Sequence, residues 1–312
     1  MKRIISKLVL FVFIISLVTS CGAEPKSLEN QQGQISNNDG YPYKIVDSLG
    51  REIEISAEPQ RVISLVPNIT EIIFSLGRGD RLVGRTEYCD YPEQVSGVTS
   101  VGDLFKPNFE EILALQPDLL IASTNLSPDS LAKLEELQIR TLIIAEENSF
   151  DGVYEAIEQI AKILRVEEEG ETIISEMKAK IKSVTERVSG KEKPSVYYMV
   201  GYGKTGDYTA GRDTFIGQLI EMAGGQNAAS DTEQWQYSLE KLLEKDPDLI
   251  ICPLGAGYKE ELPQANGYKE LTAVREGRVY EINADLIERH GPRLAEGLQE
   301  LAEIIHPASL RR

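Results

Sequence analysis

The sequence predicts an α/β protein of two Rossmann-like lobes, each with a central parallel sheet, joined by a single long α-helix with a ligand cleft between them. The first observation is an internal repeat, because residues 108–121 (NFEEILALQPDLLI) and 238–251 (SLEKLLEKDPDLII) carry the same pattern 130 positions apart. The second is that short apolar runs alternate with helical segments in both halves, which is typical of parallel sheets. Solenoid repeats have periods of roughly 20–50 residues, so this longer spacing indicates two similar lobes.

The beginning of the chain has the pattern of a secretory signal. Basic residues precede an apolar run over 8–18, and the small residues Thr19 and Ser20 follow it. We expect residues 1–20 to be a signal peptide and the polar residues 21–40 to be a flexible tether. Removing the signal takes away three basic residues and no acids, so the formal net charge changes from −17 to −20. This charge argues against nucleic acid as a partner, because phosphates require Lys and Arg patches.

Residues 41–165 are predicted to form the N-terminal lobe. Alternating apolar and polar residues on either side of 48–50 predict a β-hairpin, and the apolar run at 61–66 predicts a strand covered on both faces of a parallel sheet. Asn108 with Glu111 three residues later resembles a capping box and starts the repeat helix. The predicted strands are 43–47, 51–55, 61–66, 81–85, 119–122 and 140–145, and the other predicted helices are 70–76 and 130–137.

Residues 166–190 are predicted to form the linker helix, and residues 191–312 the C-terminal lobe. Apolar residues between Ile173 and Val184 recur at helical spacing, and acids at the start of the segment favour the helix dipole. About 22 residues at 1.5 Å each give a rod of about 33 Å, which permits slight rocking of the lobes rather than a wide hinge motion. The alternative is that this helix packs on one lobe only.

In the C-terminal lobe, strands are predicted at 195–200, 249–252 and 278–282. Helices are predicted at 214–222, from a Ser238 cap onward, and at about 292–305.

Cys89 and Cys252 are the only thiols besides Cys21, and the repeat assigns them to different lobes. An exported protein can pair its cysteines, but a bridge would lock lobes that need some freedom. We therefore expect two separate, mostly buried thiols. Neither cysteine has CxxC or Cys/His spacing, so no metal site is predicted.

Several motifs occur in the order that a known family has. They are YKIVDSLGREIEI at 43–55, RVISLVPNITEIIFSLG at 61–77, RLVGRTEYCDYP at 81–92 and DLIERHGPRLAEG at 285–297, together with the two Pro-Asp strands. With these motifs the chain resembles the helix-linked substrate-binding proteins of ABC importers, which capture cobalamin, ferric siderophores or haem. The resemblance covers nearly all of 43–306, and EYCDYP and DLIERHGPR most resemble the cobalamin-binding members.

The resemblance implies a lipid-anchored protein that delivers its ligand to a membrane transporter. The residues 18–21 (VTSC) resemble a bacterial lipobox, which implies cleavage before Cys21 and a lipid on its sulfur; the alternative is an ordinary signal cleaved nearby. The expected location is extracytoplasmic, on the bacterial cell membrane. The expected partners are an ABC permease dimer with its cytoplasmic ATPase subunits. The expected ligand is cobalamin, with no prosthetic cofactor and no metal held by the protein itself.

Eight residues are predicted to contact the ligand. Cobalamin presents a large corrin disc with amide rims, so its site requires flat aromatic walls and a few polar groups. Pro67 and Asn68 follow a strand, and the carboxyl ends of parallel strands form the usual mouth of such sheets. The resemblance implies further contacts from Tyr88, Phe105, Tyr208, Trp235, Asp285 and Arg289.

Some of these positions have a second interpretation. Trp235 lies one step from the Trp of the cobalamin-binding pattern, and Leu104 stands where that pattern has an aromatic residue, with Phe105 adjacent. Asp285 and Arg289 are four residues apart and can form an ion pair on a helix. His290 is expected to be a solvated loop residue rather than a ligand to a metal.

The resemblance also implies that one glutamate on each lobe docks into arginine pockets of the permease. By motif position these are Glu110 and Glu240, the second residues of the two repeat helices. Charge-assisted bonds between carboxylates and Arg can be bidentate and orient a partner. The alternative is that these acids only stabilise the helix dipole.

Two other functions are considered. Haem would need an axial Tyr, His or Met in the cleft, which Tyr88 or His290 can supply, and anionic siderophores would need several basic residues there. A secreted two-lobed enzyme is the alternative of another class. No GxGxxG motif follows Ile63, no P-loop Lys or nucleophile elbow is present, and the chain has two histidines. We therefore expect capture of a ligand without catalysis.

Overall fold

The computed structural model describes residues 40–145, 148–203, 206–233 and 235–307. The predicted signal peptide at 1–20, the lipidation site Cys21 and nearly all of the predicted tether at 21–40 lie outside the described residues. None of the helices within the described ranges is long and apolar enough to cross a membrane.

The first half of the described chain forms a five-stranded parallel sheet. Its strand order is β5-β4-β3-β6-β7, and a separate hairpin of β1 and β2 precedes it. Every residue of β3, β6 and β7 is buried, as the apolar runs predict for a sheet covered on both faces. The strands are β1 Tyr43–Val46, β2 Glu52–Ile55, β3 Val62–Ser64, β4 Leu82–Arg85, β5 Thr99–Ser100, β6 Leu119–Ser123 and β7 Thr141–Ile144. The helices are α1 Pro67–Ser75, α2 Phe109–Ala114, α3 Pro128–Glu136 and α4 Phe150–Ile163.

The second half forms a six-stranded mixed sheet. Its order is β11-β9-β8-β12-β13, and β10 pairs with the beginning of β8. The β8, β12 and β13 strands are parallel, whereas β9 and β11 run antiparallel to their neighbours. The strands are β8 Ser195–Gly201, β9 Asp207–Thr209, β10 Gln226–Asn227, β11 Gln236–Tyr237, β12 Leu249–Pro253 and β13 Val279–Ile282. The helices are α6 Phe215–Met222, α7 Leu239–Lys245, α8 Tyr258–Glu261, α9 Thr272–Arg275, α10 Asp285–Glu288 and α11 Leu294–Ile305.

The sequence repeat is also a structural repeat. In each lobe a short helix, α2 or α7, is followed by a residue with left-handed backbone, Gln116 (φ 46°) or Asp246 (φ 40°), and then by Pro-Asp. Asp118 accepts hydrogen bonds from the backbone N–H groups just ahead of β3, at 2.7 and 3.1 Å. Asp248 accepts one from the backbone N–H of Ser195, the first residue of β8, at 2.7 Å. In each lobe, the aspartate after the repeat proline therefore links the repeat strand, β6 or β12, to the beginning of the neighbouring strand, β3 or β8.

The long helix α5 spans Glu167–Val188, as the sequence predicts. Three glutamates occupy its first turn, where the helix dipole favours negative charge. It packs against α4 of the first lobe and α11 of the second, so it contacts both lobes rather than one. One apolar core, which includes Ile174 and Met177 of this helix, continues from the first lobe into the second.

Three local predictions differ from the structure. No element was predicted for 146–165, where α4 lies; its Ser149 cap accepts from the Gly152 N–H. The first helix begins at Pro67 rather than at residue 70, because proline fits the first position of a helix, where its missing N–H is not needed. Only half of the capping box at α2 forms: Asn108 Oδ1 accepts from the backbone N–H of Glu110 and of Glu111, whereas its own N–H donates to Val101 O.

Cys89 and Cys252 are both fully buried, Cys89 beside the first sheet and Cys252 on β12 of the second. The loss of hydration raises the pKa of both thiols, for Cys252 to about 11. Buried thiols of this kind are chemically inert, which agrees with the expectation of separate, structural cysteines.

The contact between α4 and α5 generates a stability prediction. Gly170 of α5 is buried, and a Cβ added there would lie 2.7 Å from Ala161 Cβ on α4. Alanine gains about 1 kcal/mol of helix propensity over glycine, but overpacking costs about 1–3 kcal/mol. We expect Gly170→Ala to lower the free energy of unfolding by up to about 2 kcal/mol, as measured by urea denaturation.

The matched control exchanges the two residues. In the double variant Ala161→Gly, Gly170→Ala the clash is absent and the two helix propensities offset each other, so its stability should return close to that of the natural chain. A Gly170→Ala variant more stable than the natural chain would contradict the close packing of the linker helix on α4.

Candidate ligand-binding site

Two cavities open between the lobes. The larger has a volume of about 790 Å³ and the smaller about 390 Å³, and residues from both halves of the chain line each of them. Glu288 lines both, so the two cavities adjoin. The larger is lined by Asn125, Asn148, Val200, Tyr208, Phe215, Ile216, Trp235, Ile287, Glu288 and His290. The smaller is lined by Pro67, Asn68, Tyr88, Leu104, Phe105, Asp285, Glu288 and Arg289.

All eight residues that the sequence predicts as ligand contacts lie on these two cavities. Tyr208 and Trp235 line the larger one. The other six line the smaller one, and these are Pro67, Asn68, Tyr88, Phe105, Asp285 and Arg289. The structure thus brings them together at one cleft, and their contact with a ligand stays a prediction.

Tyr208 and Trp235 are positioned by strand pairing in the second lobe. Tyr208 is the middle residue of β9 and pairs with Gln236 on the antiparallel β11. The backbone N–H of Thr209 donates to Trp235 O at 2.7 Å, which fixes the Trp just ahead of β11. The Trp235 side chain is half exposed, as a wall of an open cleft requires.

Tyr88 and Phe105 are held around Asp103 in the first lobe. The Tyr88 hydroxyl donates to Asp103 Oδ2 at 3.4 Å, and the Phe105 backbone N–H donates to Asp103 Oδ1 at 2.6 Å. Gly102 and Pro107 form a bridge that closes the loop between them, so Phe105 lies at its tip and is 64% exposed. The negative charge of Asp103 is the main reason that the pKa of Tyr88 is raised.

Asn68 is a buried amide that faces both the cavity and the other lobe. It follows Pro67 in the first turn of α1 and is 4% exposed. Its Nδ2 donates to His290 O of the second lobe at 3.4 Å, whereas its Oδ1 has no hydrogen-bond partner among the described residues. A buried polar atom without a partner is uncommon in folded proteins, and Asn68 is among the residues that line the small cavity.

Arg289 is bound by carboxylates on several sides. Its guanidinium contacts Asp285 Oδ1 at 3.0 Å, which is the predicted i,i+4 pair, and also Asp90 Oδ1 at 2.7 Å and Glu71 Oε1 at 3.2 Å. Asp90 and Glu71 belong to the first lobe. Arg289 lines the small cavity, but these three carboxylates already balance its positive charge.

Glu288 lies where the two cavities meet, and the sequence interpretation did not select it. The Tyr198 hydroxyl, in the core of the second lobe, donates to its Oε1 at 3.1 Å. Loss of hydration raises the pKa of Glu288, which the bond from Tyr198 partly opposes and the nearby charge of Asp285 reinforces. Its position between Asp285 and Arg289 in the DLIERHGPR motif is the sequence signal that could have identified it.

Other cavity residues were also not selected from the sequence. Asn125 and Asn148 add amides from the loops after β6 and β7, and Phe215 adds an aromatic ring from α6. The ring of His290 packs edge-on against Phe215, with 5.1 Å between the ring centroids. His290 lies in the loop between α10 and α11, as expected, but it is half-buried in the cleft wall rather than fully solvated.

The two predicted docking residues occupy equivalent places in the two lobes. Glu110 is the second residue of α2 and Glu240 the second residue of α7, and both are exposed. Phe105 lies five residues before Glu110, and Trp235 lies five residues before Glu240. Each docking position is therefore joined by a short segment to an aromatic residue of the cleft.

A third cavity, of about 480 Å³, lies wholly within the second lobe. It is lined by residues 206–207, 232, 236–238 and 241. Because the first lobe contributes nothing to it, this cavity does not respond to how the lobes meet. Among the described residues, no group of His, Cys, Asp and Glu side chains is arranged to hold a metal ion.

The fold and the cleft define a two-lobed binding protein, and comparison with known proteins agrees. The chain belongs to the periplasmic binding protein family, whose model matches residues 62–286. It is 33% identical over 302 residues to YvrC, an ABC transporter substrate-binding lipoprotein of Bacillus subtilis, and the match covers 95% of each chain. The resemblance inferred from the motifs is thereby confirmed.

Two solved structures have the same two-lobed fold but are named for different ligands. The periplasmic vitamin B12-binding protein of Vibrio cholerae is 27% identical, with a TM-score of 0.69 over 81% of this chain and 99% of that chain. The periplasmic haem-binding protein of Roseiflexus, in apo form, is 26% identical, with a TM-score of 0.73 over 80% of this chain and 99% of that chain. The fold class is confirmed.

Glu288 generates a prediction about pH. Because its pKa in the folded state lies above the unfolded value of about 4.3, its contribution to stability is fully present below that value and is lost as the pH rises through the folded pKa. The glutamine of Glu288→Gln does not ionise, so the variant does not lose this stability as the pH rises. The free energy of unfolding of the variant, relative to the natural chain, should therefore increase from pH 4 to pH 7, by less than about 1 kcal/mol because solvent reaches the group.

Urea denaturation at several pH values measures this difference. Tyr198→Phe is the matched variant: it removes the donor that favours the carboxylate, so the dependence of stability on pH should become steeper. A difference between Glu288→Gln and the natural chain that stays constant or decreases with rising pH would contradict the raised pKa.

Proposed function

We propose that the protein is the extracytoplasmic substrate-binding lipoprotein of an ABC importer, and that it captures a corrinoid, cobalamin, in the interlobe cleft and delivers it to the permease. The observation that carries the proposal is the chemistry of the cleft. Aromatic residues of both lobes wall two adjoining cavities, and acids and amides, rather than free bases, supply the polar groups.

The size and walls of the cleft suit a large flat ligand. Each cavity lies within the range of about 300–1,000 Å³ that is usual for small-molecule sites, and the two adjoin at Glu288. Tyr208 and Trp235 face the cleft from one lobe, and Tyr88 and Phe105 from the other. Aromatic faces give a disc broad apolar contact at little cost in side-chain entropy.

The polar groups suit a ligand with amide donors. The lining includes the carboxylates of Asp285 and Glu288 and the amide residue Asn68. Carboxylate and amide oxygens accept hydrogen bonds, and the carboxamides on the rim of a corrin disc carry N–H groups that donate them. Cobalamin thus offers donors that match the acceptors of the cleft.

The same charges disfavour the alternative ligands. Among the residues that line the two cavities, Arg289 is the one Lys or Arg, and three carboxylates already bind it. Haem carries two carboxylates and catecholate siderophores are anionic, so both would meet Asp285 and Glu288 without a free base. An axial tyrosinate for haem is also disfavoured at Tyr88, because Asp103 raises the pKa of that phenol. The resemblance to a haem-binding structure keeps haem as the second candidate.

Delivery is proposed through the two repeat helices. Glu110 and Glu240 would dock on a permease dimer whose cytoplasmic ATPase subunits hydrolyse ATP, and Cys21 would carry the lipid that holds the protein at the membrane. The relative YvrC is named as an ABC transporter substrate-binding lipoprotein, which supports this role. Since Phe105 and Trp235 each lie five residues before a docking position, movement of α2 and α7 would displace the aromatic walls of the cleft.

Equilibrium binding followed by absorbance tests the ligand. Cyanocobalamin, haem and a ferric hydroxamate are titrated side by side, and we expect tight binding of cyanocobalamin. Tyr208→Ala should weaken it about tenfold or more, because it removes an aromatic wall; a tenfold change corresponds to about 1.4 kcal/mol.

Tyr208→Phe is the matched control, which keeps the ring and should stay within about threefold of the natural chain, or about 0.7 kcal/mol. Binding of haem without cyanocobalamin would overturn the ligand and leave the transport role standing. Chemical turnover of the bound ligand would overturn the assignment to a binding protein.

Uptake of the ligand by cells tests the docking residues. The double variant Glu110→Lys, Glu240→Lys should abolish uptake, because it places positive charge against the arginine pockets of the permease, while the affinity for the ligand stays unchanged. The control is Glu111→Lys, Glu244→Lys, which reverses one charge on each of the same two helices and should transport normally. Normal uptake by the Glu110, Glu240 variant would refute the docking assignment.

A further inference from the structure

We propose that Glu71 is a positioning residue of the ligand site, which acts through Arg293 and Arg289 to fix how the two lobes meet. The inference rests on the proposed capture of a ligand in the cleft, but it does not depend on which ligand that is. Glu71 does not line either cavity, so its effect on the ligand is through the arginines and the geometry of the cleft.

Glu71 is a carboxylate of the first lobe that is buried where the two lobes meet. It lies on α1 among Ile69, Ile72 and Ile73, and it is 2% exposed. An ionised carboxylate in such a place is stable only when its oxygens are bound and its charge is balanced. Both oxygens are bound here: Oε2 accepts from Arg293 Nε at 2.8 Å, and Oε1 accepts from Arg293 Nη2 at 2.6 Å and from Arg289 Nη1 at 3.2 Å.

Both arginines come from the other lobe. Arg293 immediately precedes α11 and Arg289 immediately follows α10, and 14% of each side chain is exposed. The Arg293 guanidinium also lies over the ring of Tyr91 in the first lobe, 3.7 Å from its centroid. Glu71 and Tyr91 therefore hold Arg293 from two directions, and the two-bond pairing with the carboxylate fixes its orientation.

Arg289 connects this buried pair to the ligand site. The same guanidinium contacts Glu71, Asp90 and Asp285, and it lines the small cavity. Asp90 is 63% exposed, so water and salt screen its bond to Arg289 far more than they screen the bond to Glu71. Asp90 makes the shorter bond to Arg289, at 2.7 Å against 3.2 Å, but of the two carboxylates from the first lobe Glu71 is the buried one and the one that also binds Arg293.

The ion pair fixes the relative orientation of the lobes, which the apolar contacts between them do not. The continuous core brings together side chains of both lobes, among them Val66 and Ile69 of the first and Phe215 and Leu294 of the second. Apolar contacts hold surfaces together without fixing their relative orientation, since hydrophobic burial is not directional. A buried charged pair contributes little net stability compared with an apolar replacement, but its geometry is strict. We therefore assign the adhesion of the lobes to the core and their orientation to Glu71 with Arg293.

Distance measurements between the lobes test this assignment without any ligand. Nitroxide labels are attached to Asp129→Cys at the beginning of α3 and Lys259→Cys in α8, both exposed and in different lobes. The labels are introduced in the full chain with Cys21→Ser; Cys89 and Cys252 are buried. Glu71→Gln should broaden the distribution of distances between the labels and weaken cyanocobalamin binding about tenfold.

Glu58→Gln is the matched control, because it removes a first-lobe carboxylate whose partner, Arg81 at 3.1 Å, lies in the same lobe. It should leave the distances unchanged and the affinity within about threefold of the natural chain. A narrow distribution together with unchanged affinity in Glu71→Gln would overturn the proposal. If the natural chain does not bind cyanocobalamin, the proposed ligand fails, whereas the distances still decide the role of Glu71.

A second variant separates orientation from stability. Glu71→Met with Arg293→Met replaces the pair by apolar side chains, which often restores or increases stability, so this variant should fold even where Glu71→Gln does not. If the pair orients the lobes, the double variant is stable but keeps a broad distribution and weak binding. If Glu71 is only structural, the double variant recovers both the narrow distribution and the affinity of the natural chain, and the proposal is wrong.

Discussion

Glu71 is a buried acid of the first helix, and its charge is balanced by two arginines that the chain supplies more than 200 residues later. This pairing can form only when α1 of the first lobe meets the segment between α10 and α11 of the second. The apolar core continues across the same boundary, and α5 contacts both sides of it. The position of every cleft residue depends on this meeting, because each cavity takes part of its wall from each lobe.

The chemistry of the cleft follows from where the parallel strands end. Residues after the carboxyl ends of β3, β6 and β8 reach the same opening, so side chains distant in sequence become neighbours. Aromatic residues supply the walls, while Asp285, Glu288 and Asn68 supply acceptors. A site with acceptors and an already paired arginine favours a ligand with donor groups over an anionic one.

The internal repeat has a physical basis in both lobes. Asp118 and Asp248 each bind the backbone at the beginning of the adjacent strand, and a left-handed residue ends each repeat helix. The repeat therefore reproduces a helix at the same place on each sheet, with a glutamate in its first turn. Two equivalent acidic positions on two lobes are what a dimeric partner can contact at once.

Much of this arrangement was present in the sequence. Apolar runs predicted β3, β6, β7, β8 and β12, since strands buried on both faces must be apolar throughout; helical spacing predicted α5; and the motifs pointed to residues that line one cleft. The short strands β9 to β11 were not predicted, because two- and three-residue strands have too few positions for a period and depend on their neighbours. The helix α4 was not predicted although its Ser149 cap was readable.

The sequence by itself determined the local elements and the chemical types of side chain at the ends of the strands, because both follow from short-range periodicity and composition. Only the tertiary structure decided which charges meet. Glu71 is one acid among many in a strongly acidic chain, and nothing near it in sequence marks Arg289 and Arg293 as its partners. The reason is physical: an ion pair is set by distance and burial in space, and burial exists only once the lobes have come together.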